Sequence, residues 1–340
     1  MPKAYRDSLN FIGKLTLAKI SNILLITVSF YLSRLTRKVI VWGKPISLSI
    51  EPTTSCNLRC PECPSGLRSF TRPTGMLDLT FYNKIIDEQS KSLSYLLLYF
   101  QGEPFLHQNF VEMIKYAADK GIYTATSTNA HYFTDDVARE TIQSGLDRLI
   151  ISIDGTTQGV YEQYRVGGSL EKVMDGTKKL VSWKKKLKSP TPHLIFQFLV
   201  VKPNEHQIAD VQKMAREVGV DEVKLKTAQL YDYENGNELM PSNERYSRYK
   251  QNDGGTYSLK HKLYNHCWKM WHSSVVTWDG TIVPCCFDKD ASHALGSLEE
   301  NNFAEIWQDK KYNSFRQSLL NSRSEIDICK NCTEGAKVWT

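Results

Sequence analysis

Three of the eight cysteines lie within eight residues, at positions 56, 60 and 63, directly after a predicted strand at 46–51. Three thiolates in so short a loop can bind three irons of a four-iron cluster and leave the fourth iron open to another ligand. A structural zinc site would need a fourth protein ligand, and this loop holds no further Cys or His. The spacing therefore favours an iron-sulfur cluster over zinc.

The other cysteines form a second group after about 200 residues without any: Cys267, Cys285, Cys286, Cys329 and Cys332. Tight groups in a chain of 340 residues are more typical of metal sites than of disulfides, which stabilise small secreted domains. We therefore predict free thiols, a reducing compartment and a cytoplasmic protein. A zinc site of four cysteines stays an alternative for this second group, because such sites use similar spacing.

From residue 45 onward, short apolar runs alternate with longer helical segments. Leu96–Leu98 and Leu149–Ile151 are apolar on both faces, as in a parallel sheet covered by helices. Six such runs predict an α/β fold, a partial (β/α)6 TIM-like barrel with its site where strands give way to helices. The predicted strands are 45–51, Leu93–Phe100, Ile122–Thr128, Asp147–Ile153, His193–Val201 and Glu222–Lys226.

Changes in composition divide the chain into four predicted regions. They are an N-terminal helical arm at 1–44, the barrel at 45–233, a linker at 234–259 and a small cysteine-rich domain at 260–340. The linker is rich in Asn, Gly, Ser and Asp, which favour irregular structure. Within the last domain, Asp279-Gly280 separates two apolar runs and predicts a hairpin with a two-residue turn.

The net charge of +6 is concentrated in the arm, since residues 1–50 carry eight Lys or Arg and one acid. A nucleic-acid-binding surface over the whole protein is therefore not expected. The arm is predicted to form one or two helices, and its longest uncharged run, Ile20–Ser33, is short for a membrane span. Two interpretations stay open: a helix packed on the main domain, or peripheral membrane contact through residues 9–38.

The spacing Cys56-x3-Cys60-x2-Cys63 resembles the signature of radical S-adenosylmethionine (SAM) enzymes. The resemblance implies a [4Fe–4S] cluster whose open iron binds SAM and cleaves it reductively. The resulting 5′-deoxyadenosyl radical would abstract a hydrogen atom from a substrate, in an oxidation, a dehydrogenation or a peptide modification. The protein would position and shield the reactants.

Further segments resemble the SAM-binding positions of that family. Gln101-Gly102-Glu103-Pro104 is similar to a Gly-Gly-Glu-Pro turn that meets the SAM amino group, with Gln101 replacing the first glycine. Glu62 stands where the family often has an aromatic residue near the adenine. The positions implied for SAM ribose or carboxylate are Thr128, Asn129, Ser152, Asp154 and Arg165.

The second cysteine group resembles the SPASM and twitch extensions of radical SAM enzymes, which hold auxiliary iron-sulfur clusters. Five cysteines suffice for one auxiliary [4Fe–4S] cluster, and the resemblance implies Cys267, Cys285, Cys329 and Cys332 as its ligands. Adjacent residues on a strand point to opposite faces, so Cys286 is an alternative to Cys285 rather than an addition. Trp268, Trp271 and Trp278 are expected to cover this cluster.

The substrate is not specified by these patterns. A small molecule, a sugar or a peptide would suit the family, and flavodoxin or ferredoxin would suit it as reductant. The apolar arm and the single auxiliary cluster favour a small or lipid-linked substrate. Weak candidates for a base past the sixth strand are Tyr231, Asp232 and Glu234. The competing hypothesis is a non-catalytic iron-sulfur or zinc scaffold with the same fold.

Overall fold

The computed structural model of the chain describes residues 3–334, and alternating strands and helices follow an N-terminal pair of helices. That pair is α1 (Lys3–Gly13) and α2 (Leu17–Thr36), which form the arm. The elements that follow, to the end of the sixth strand, are β1 (Ser47–Ile50), α3 (Pro64–Leu67), α4 (Leu79–Gln89), β2 (Tyr95–Leu97), α5 (Phe110–Asp119), β3 (Tyr123–Thr128), α6 (Asp135–Gln143), β4 (Arg148–Ser152), α7 (Gln158–Tyr164), α8 (Leu170–Lys186), β5 (His193–Val200), α9 (Ile208–Val218) and β6 (Glu222–Thr227).

Strands β1 to β6 pair in sequence order and are all parallel. Leu96, Leu149 and Leu194 are fully buried, since helices cover the outer side of the sheet. The predicted partial barrel is therefore confirmed, with strand ends within a few residues of the predicted ones. Because the strands are parallel, their carboxyl ends meet at one edge, where the cysteine loop after β1 also lies.

The C-terminal part adds strands to the same sheet. Its elements are β7 (Tyr249–Gln251), β8 (Tyr257–Leu259), α10 (Lys269–His272), β9 (Ser273–Val276), β10 (Thr281–Val283), β11 (Gly296–Ser297), α11 (Phe303–Gln308), α12 (Lys310–Ser322) and α13 (Asp327–Lys330). Strand β9 pairs in parallel with β1, and β10 and β11 continue the sheet as antiparallel strands. This pairing places the second cysteine group beside the first barrel strand.

The hairpin of β9 and β10 is present, but its predicted two-residue turn is wrong. The N–H of Thr277 donates to the carbonyl of Thr281, so the turn contains three residues. Of these only Gly280 has a positive φ, of 81°, while Asp279 bonds the Thr277 hydroxyl with its side chain. A two-residue turn of type I′, which Asp-Gly favours, would need positive φ at both of its positions.

The segment predicted as a linker contains β7 and β8, which form a separate two-stranded sheet. The division of the chain into four regions stays a prediction. Residues 1–2 of the predicted arm and 335–340 of the predicted last domain lie outside the described residues.

The arm packs against the barrel through polar contacts. Asp7 forms an ion pair with Arg148, and Lys14 Nζ lies 2.5 Å from a carboxylate oxygen of Asp147. Within residues 3–334, no single helix is long and apolar enough to cross a membrane. The pair Tyr5–Gly13 and Leu17–Thr36 reaches that length and composition together, although the two helices meet at a bend of 104°.

Candidate functional site

The first three cysteines lie in the loop that connects β1 to α3. The loop is compact, since the Cys63 N–H donates to the Cys60 carbonyl at 3.3 Å, and the Leu67 N–H donates to the Cys63 carbonyl at 2.8 Å. Cys60 is buried, whereas Cys56 and Cys63 are half-buried. All eight cysteines lie within the described residues and are free thiols, as predicted.

Burial opposes ionisation of these thiols. It is the largest cause that raises the pKa of Cys56 to about 11, and the nearby charges of Glu103, Cys60 and Cys63 contribute to the same rise. Burial also raises the pKa of Cys60. Thiolates at such positions need a bound cation to stay charged, and iron supplies one. The donor chemistry of this loop therefore fits a cluster held by three sulfurs.

Gly102 joins the cysteine loop to the end of β2. Its φ is +75°, and a Cβ there would lie 2.2 Å from the Thr53 carbonyl oxygen and 2.8 Å from that of Ser55. Its N–H donates to the Ser65 hydroxyl at 2.9 Å. Only glycine fits at this contact. The side chain of the preceding Gln101 has its Oε1 3.9 Å from Cys63 Sγ.

Glu103 is a buried carboxylate beside the cysteine loop. It accepts hydrogen bonds from the Thr128 hydroxyl and the Asn129 N–H, each at 2.7 Å, and from the Phe105 N–H at 3.2 Å. Burial raises its pKa to about 7 in spite of these donors. All three donors are neutral, so a ligand with positive charge would suit the carboxylate well. Pro104 is buried and begins a short 3-10 turn after it.

The ends of β3 and β4 also face the cysteine loop. Asn129 Nδ2 donates to Asn57 Oδ1 at 2.7 Å, which ties the end of β3 to a residue between the cysteines. Thr128 reaches the same region through Glu103. Ser152 is buried at the end of β4. The structure thus brings together the polar strand ends that the sequence singled out.

Asp154 and Arg165 form an ion pair next to Cys60. Arg165 Nε lies 2.5 Å from Asp154 Oδ2, and the Leu199 N–H donates to the other oxygen at 2.6 Å. Arg165 Nη1 lies 3.7 Å from Cys60 Sγ. Both oxygens of Asp154 therefore have partners within the protein. This geometry favours Asp154 as a positioning residue for Arg165.

Glu62 connects the cysteine loop to the segment after β6. It accepts the Tyr231 N–H at 2.9 Å and the Asn237 side-chain amide at 3.3 Å. Tyr231 and Asp232 line a cleft of about 610 Å³ together with Glu62 and Lys289. Glu234 is not among the residues that line this cleft.

Four cysteines of the second group come close together from three segments. Cys267, Cys329 and Cys332 are buried, and Arg323 Nη2 donates to Cys332 Sγ at 3.3 Å. Burial raises the pKa of Cys332 to about 12, with contributions from the charges of Cys267 and Cys329. Burial likewise raises the pKa of Cys285, with contributions from Cys286, Cys267 and Cys332. Among the residues that the structure describes, no three His, Cys, Asp or Glu side chains are grouped to hold a single metal ion.

Cys286 has different neighbours. It packs against Phe100, Val275 and Val283, and Lys269 Nζ donates to its sulfur at 3.4 Å. These contacts favour Cys285 as the ligand and place Cys286 toward the end of β2. Of the consecutive residues Phe100 and Gln101, Phe100 thus belongs to the apolar cluster beside Cys286, and Gln101 contacts Cys63 of the first group.

Two tryptophans expected to cover the second group have other partners. Trp271 Nε1 donates to the Ile40 carbonyl at 3.0 Å, and Trp278 Nε1 donates to the Pro73 carbonyl at 3.1 Å. Trp271 and Trp268 also pack edge-on against Phe30 of the arm. Trp271 therefore joins the arm to the C-terminal part.

Sequence reasoning missed a buried ion pair at the end of β1. Arg72 Nη1 and Nη2 donate to the two carboxylate oxygens of Glu51, at 2.8 and 2.6 Å, and Arg72 Nε donates to the Lys289 carbonyl at 3.1 Å. This pair links β1, the loop before α4 and the C-terminal part. An acid directly after a buried strand was the available signal, but its partner lies 21 residues away.

Family models match two parts of the chain. The radical SAM superfamily model matches residues 50–218, and the model of SPASM, an iron-sulfur cluster-binding domain, matches residues 267–333. The chain belongs to the radical SAM superfamily. Its cofactors are a [4Fe–4S] cluster with SAM and, in the SPASM domain, an auxiliary iron-sulfur cluster. This is the family that the cysteine spacing had indicated.

Proteins similar to this radical SAM protein include a cofactor-modifying protein and two solved structures with bound molecules. The tungsten-containing aldehyde ferredoxin oxidoreductase cofactor-modifying protein of Pyrococcus furiosus is 27% identical over 319 residues, covering 84% of this chain and 86% of that protein. BtrN in complex with AdoMet and 2-DOIA has a TM-score of 0.53 and 19% identity, covering 87% of this chain and 95% of BtrN. Streptococcus suis SuiB bound to precursor peptide SuiA has a TM-score of 0.63 and 13% identity, covering 87% of this chain and 72% of SuiB. At these identities the two structures establish the fold alone.

Proposed function

We propose that this radical SAM enzyme oxidises a substrate bound between its two cysteine groups. The observation that carries the proposal is the pair Phe100 and Gln101, neighbours at the end of β2. Gln101 Oε1 lies 3.9 Å from Cys63 Sγ of the first group, and Phe100 belongs to the buried apolar cluster against which Cys286 of the second group packs. A substrate near these two residues would therefore lie close to both groups.

The cluster ligands proposed are Cys56, Cys60 and Cys63 for the first group and Cys267, Cys285, Cys329 and Cys332 for the second. When bound, the first cluster and SAM supply reductive cleavage of SAM to a 5′-deoxyadenosyl radical. The substrate would lose a hydrogen atom to that radical, then one electron to the auxiliary cluster and one proton to a base. Together these losses oxidise the substrate by two electrons.

The side chains around the first group would bind and orient SAM. Glu103, held by Thr128 and Asn129, would accept from the SAM amino group, and the Gln101–Pro104 turn would offer backbone carbonyls. Arg165, oriented by Asp154, would pair with the SAM carboxylate. Ser152 lies at the neighbouring strand end and would contribute to the same wall.

Three cations point to a substrate with an anionic group. Arg248 and Lys269 each lie within electrostatic range of the Cys286 side chain, and Lys226 lies within electrostatic range of both cations. Arg248 also lies within electrostatic range of Tyr164, which packs in the same apolar cluster as Cys60. Arg248 Nη1 is buried and has no acceptor among the described residues. A carboxylate or phosphate on the substrate would supply one.

The substrate class proposed is a small molecule, a sugar or a peptide that carries such a group. The relatives include a cofactor-modifying protein and a protein bound to a precursor peptide, so both small and peptide substrates occur among similar folds. The three cations therefore favour a substrate with negative charge and do not restrict its size.

Tyr231 or Asp232 would take the proton, because both line the cleft of about 610 Å³ beside Glu62. Lys289 Nζ donates to the Tyr231 hydroxyl at 2.9 Å and would stabilise a phenolate there. Glu234 is a weaker candidate, since it does not line this cleft. Flavodoxin or ferredoxin would supply electrons, and a cytoplasmic location would keep the thiols reduced.

The test is anaerobic reconstitution with iron and sulfide, reduction with dithionite and addition of SAM. We expect about eight irons per chain and formation of 5′-deoxyadenosine. Protein that binds about eight irons and yields no 5′-deoxyadenosine would overturn the proposal in favour of an iron-sulfur scaffold. Zinc in place of iron in the second group would restrict the proposal to SAM cleavage and remove the electron acceptor.

A further inference from the structure

The second helix of the arm, α2, has the reverse of the usual distribution of polarity. Its buried side is largely polar: Lys19 Nζ donates to the Gly121 carbonyl at 2.7 Å, and Asn22 Nδ2 donates to the Lys44 carbonyl at 2.9 Å. Ser29 and Ser33 are also fully buried there. Its exposed side is apolar, whereas a helix on a soluble surface normally exposes polar residues.

We call that exposed side the outer face of α2, and it consists of Leu17, Ile20, Leu24, Leu25, Val28, Tyr31 and Leu35. These positions recur every three or four residues, so they form one stripe along the helix. Leu17 is 87% exposed, Leu24 60% and Leu35 81%. From Leu17 to Ser33 the only charged side chain is Lys19, which is 2% exposed and points to the protein. Ser21 is the one polar side chain exposed between Leu17 and Ser33, so the stripe is largely apolar and carries no charge.

Positive charge gathers at the C-terminal end of the stripe. Arg34, Arg37 and Lys38 are exposed there, and the only acid among residues 1–50, Asp7, is buried and paired with Arg148. A cavity of about 480 Å³ adjoins this end and is lined by Phe30 and Arg34 as well as by Lys262, Arg323 and Glu334. An uncharged apolar stripe that ends in exposed cations is complementary to an anionic lipid surface.

We infer that the outer face of α2 lies on an anionic membrane, parallel to its plane. The opposite side of α2 is fixed to the barrel by the hydrogen bond from Lys19 to Gly121, so the helix lies on the bilayer rather than across it. Arg34, Arg37 and Lys38 contact lipid phosphates at the interface. The inference concerns where the enzyme works and is independent of the reaction proposed above.

A second copy of the chain is the main competing occupant of this face. Two copies that pair through the same stripe about a twofold axis would each bring an exposed basic end and no exposed acid from the arm. Like charges at a pairing surface disfavour association. The charge distribution therefore favours lipid over self-association.

The test uses reconstituted full-length protein and flotation with vesicles of phosphatidylcholine alone or mixed with phosphatidylglycerol. We expect wild type to float with the anionic vesicles and to be released by high salt in part. The double variant Leu24→Asp with Val28→Asp should bind anionic vesicles at least about tenfold more weakly, because each carboxylate would have to enter the apolar interface. Arg37→Gln with Lys38→Gln should weaken binding to anionic vesicles severalfold.

The matched control is Thr80→Asp with Gln212→Asp, which adds two charges at exposed helix positions outside the arm. It should float like wild type. Iron content shows whether each variant folds. Wild type that floats with neither vesicle, or Leu24→Asp with Val28→Asp that floats as wild type does, would overturn the inference. Light scattering would also overturn the inference if wild type were a dimer and the variant Leu24→Asp with Val28→Asp were a monomer. A second copy of the chain would then be the occupant of the outer face of α2.

Discussion

The first cysteine group comes from one loop of eight residues, whereas the second is assembled from three segments between Cys267 and Cys332. Sequence neighbours hold the first group in place, as the hydrogen bond from Cys63 to Cys60 shows. The second depends on the tertiary fold, because β9 must pair with β1 and α13 must pack nearby. The first group is therefore arranged mainly by its own loop, while the second depends on the complete sheet.

The charges around the two groups differ as well. In the second group Arg323 and Lys269 donate directly to sulfur, at 3.3 Å to Cys332 and 3.4 Å to Cys286. Beside the first group, Glu103 is a buried acid with neutral donors, and Arg165 is paired with Asp154 and approaches the Cys60 sulfur only to 3.7 Å. Protein cations thus compensate the second group, whereas the first leaves room for a charged ligand.

The largest expected effect is on SAM cleavage, which should depend on the first cysteine group and not on the second. Cys60→Ala should abolish formation of 5′-deoxyadenosine, because the SAM-binding cluster loses one of three ligands. Cys329→Ala should lose about four irons and still cleave SAM, since the first loop does not depend on it. Iron analysis and chromatography of 5′-deoxyadenosine measure both effects.

If Cys60→Ala cleaved SAM at the wild-type rate, the first cysteine group would not be the one that holds the SAM-binding cluster. Complete loss of 5′-deoxyadenosine with Cys329→Ala, at unchanged iron in the first cluster, would show that the groups act as one unit. Cys286→Ala is the matched control within the second group and should keep about eight irons.

The next largest effect tests the contact between the cysteine loop and β2. Gly102→Ala puts a Cβ 2.2 Å from the Thr53 carbonyl, so the backbone must shift and the first cluster should be lost. Gly121→Ala is the matched control, with a φ of +70° and no atom within 4 Å of the added Cβ. The control should lower the free energy of unfolding by about 1–2 kcal/mol, and Gly102→Ala by roughly 1–3 kcal/mol more. Equal iron content in both variants would contradict the close contact.

Much of the fold was predictable because the signals are local. The apolar runs at 93–100 and 147–153 gave β2 and β4, since a parallel strand buried on both faces needs few polar positions. The pairing of β9 with β1 was not predictable, because its residues are more than 220 positions apart. The sequence of a strand alone does not determine which strand at the edge of a sheet it pairs with.

The site was predictable in its residues but not in their partners. Gly102, Glu103 and Asn129 lie where the strand order required, at adjacent strand ends. The pairing of Asp154 with Arg165 depends on how α7 turns back toward β4, which only the fold decides. Trp278 likewise was assigned to a cluster from its position in the sequence, although its indole bonds Pro73.

A smaller effect tests whether SAM binding needs Asp154 to hold the Arg165 guanidinium in position. Asp154→Asn should reduce SAM affinity or turnover by roughly 10–100-fold, because Arg165 loses its anionic partner and its fixed orientation. Iron content should stay near wild type. Asp175→Asn is the control, since Asp175 pairs with Lys179 on an exposed helix face, where an ion pair contributes little. Unchanged SAM affinity in Asp154→Asn would show that Arg165 needs no positioning.

The smallest effect concerns pH and the uncompensated acid of the first group. Burial raises the pKa of Glu103 from an ordinary value of 4.5 to about 7, so its contribution to stability is present at acid pH and is lost as pH rises to about 7. Bound SAM brings a sulfonium cation and N–H donors, which favour the ionised carboxylate. SAM affinity should therefore rise about tenfold from pH 6 to pH 8 in wild type. Glu103→Gln should lack this rise at equal iron content, because its amide does not titrate; the same slope in both proteins would assign the proton to another group.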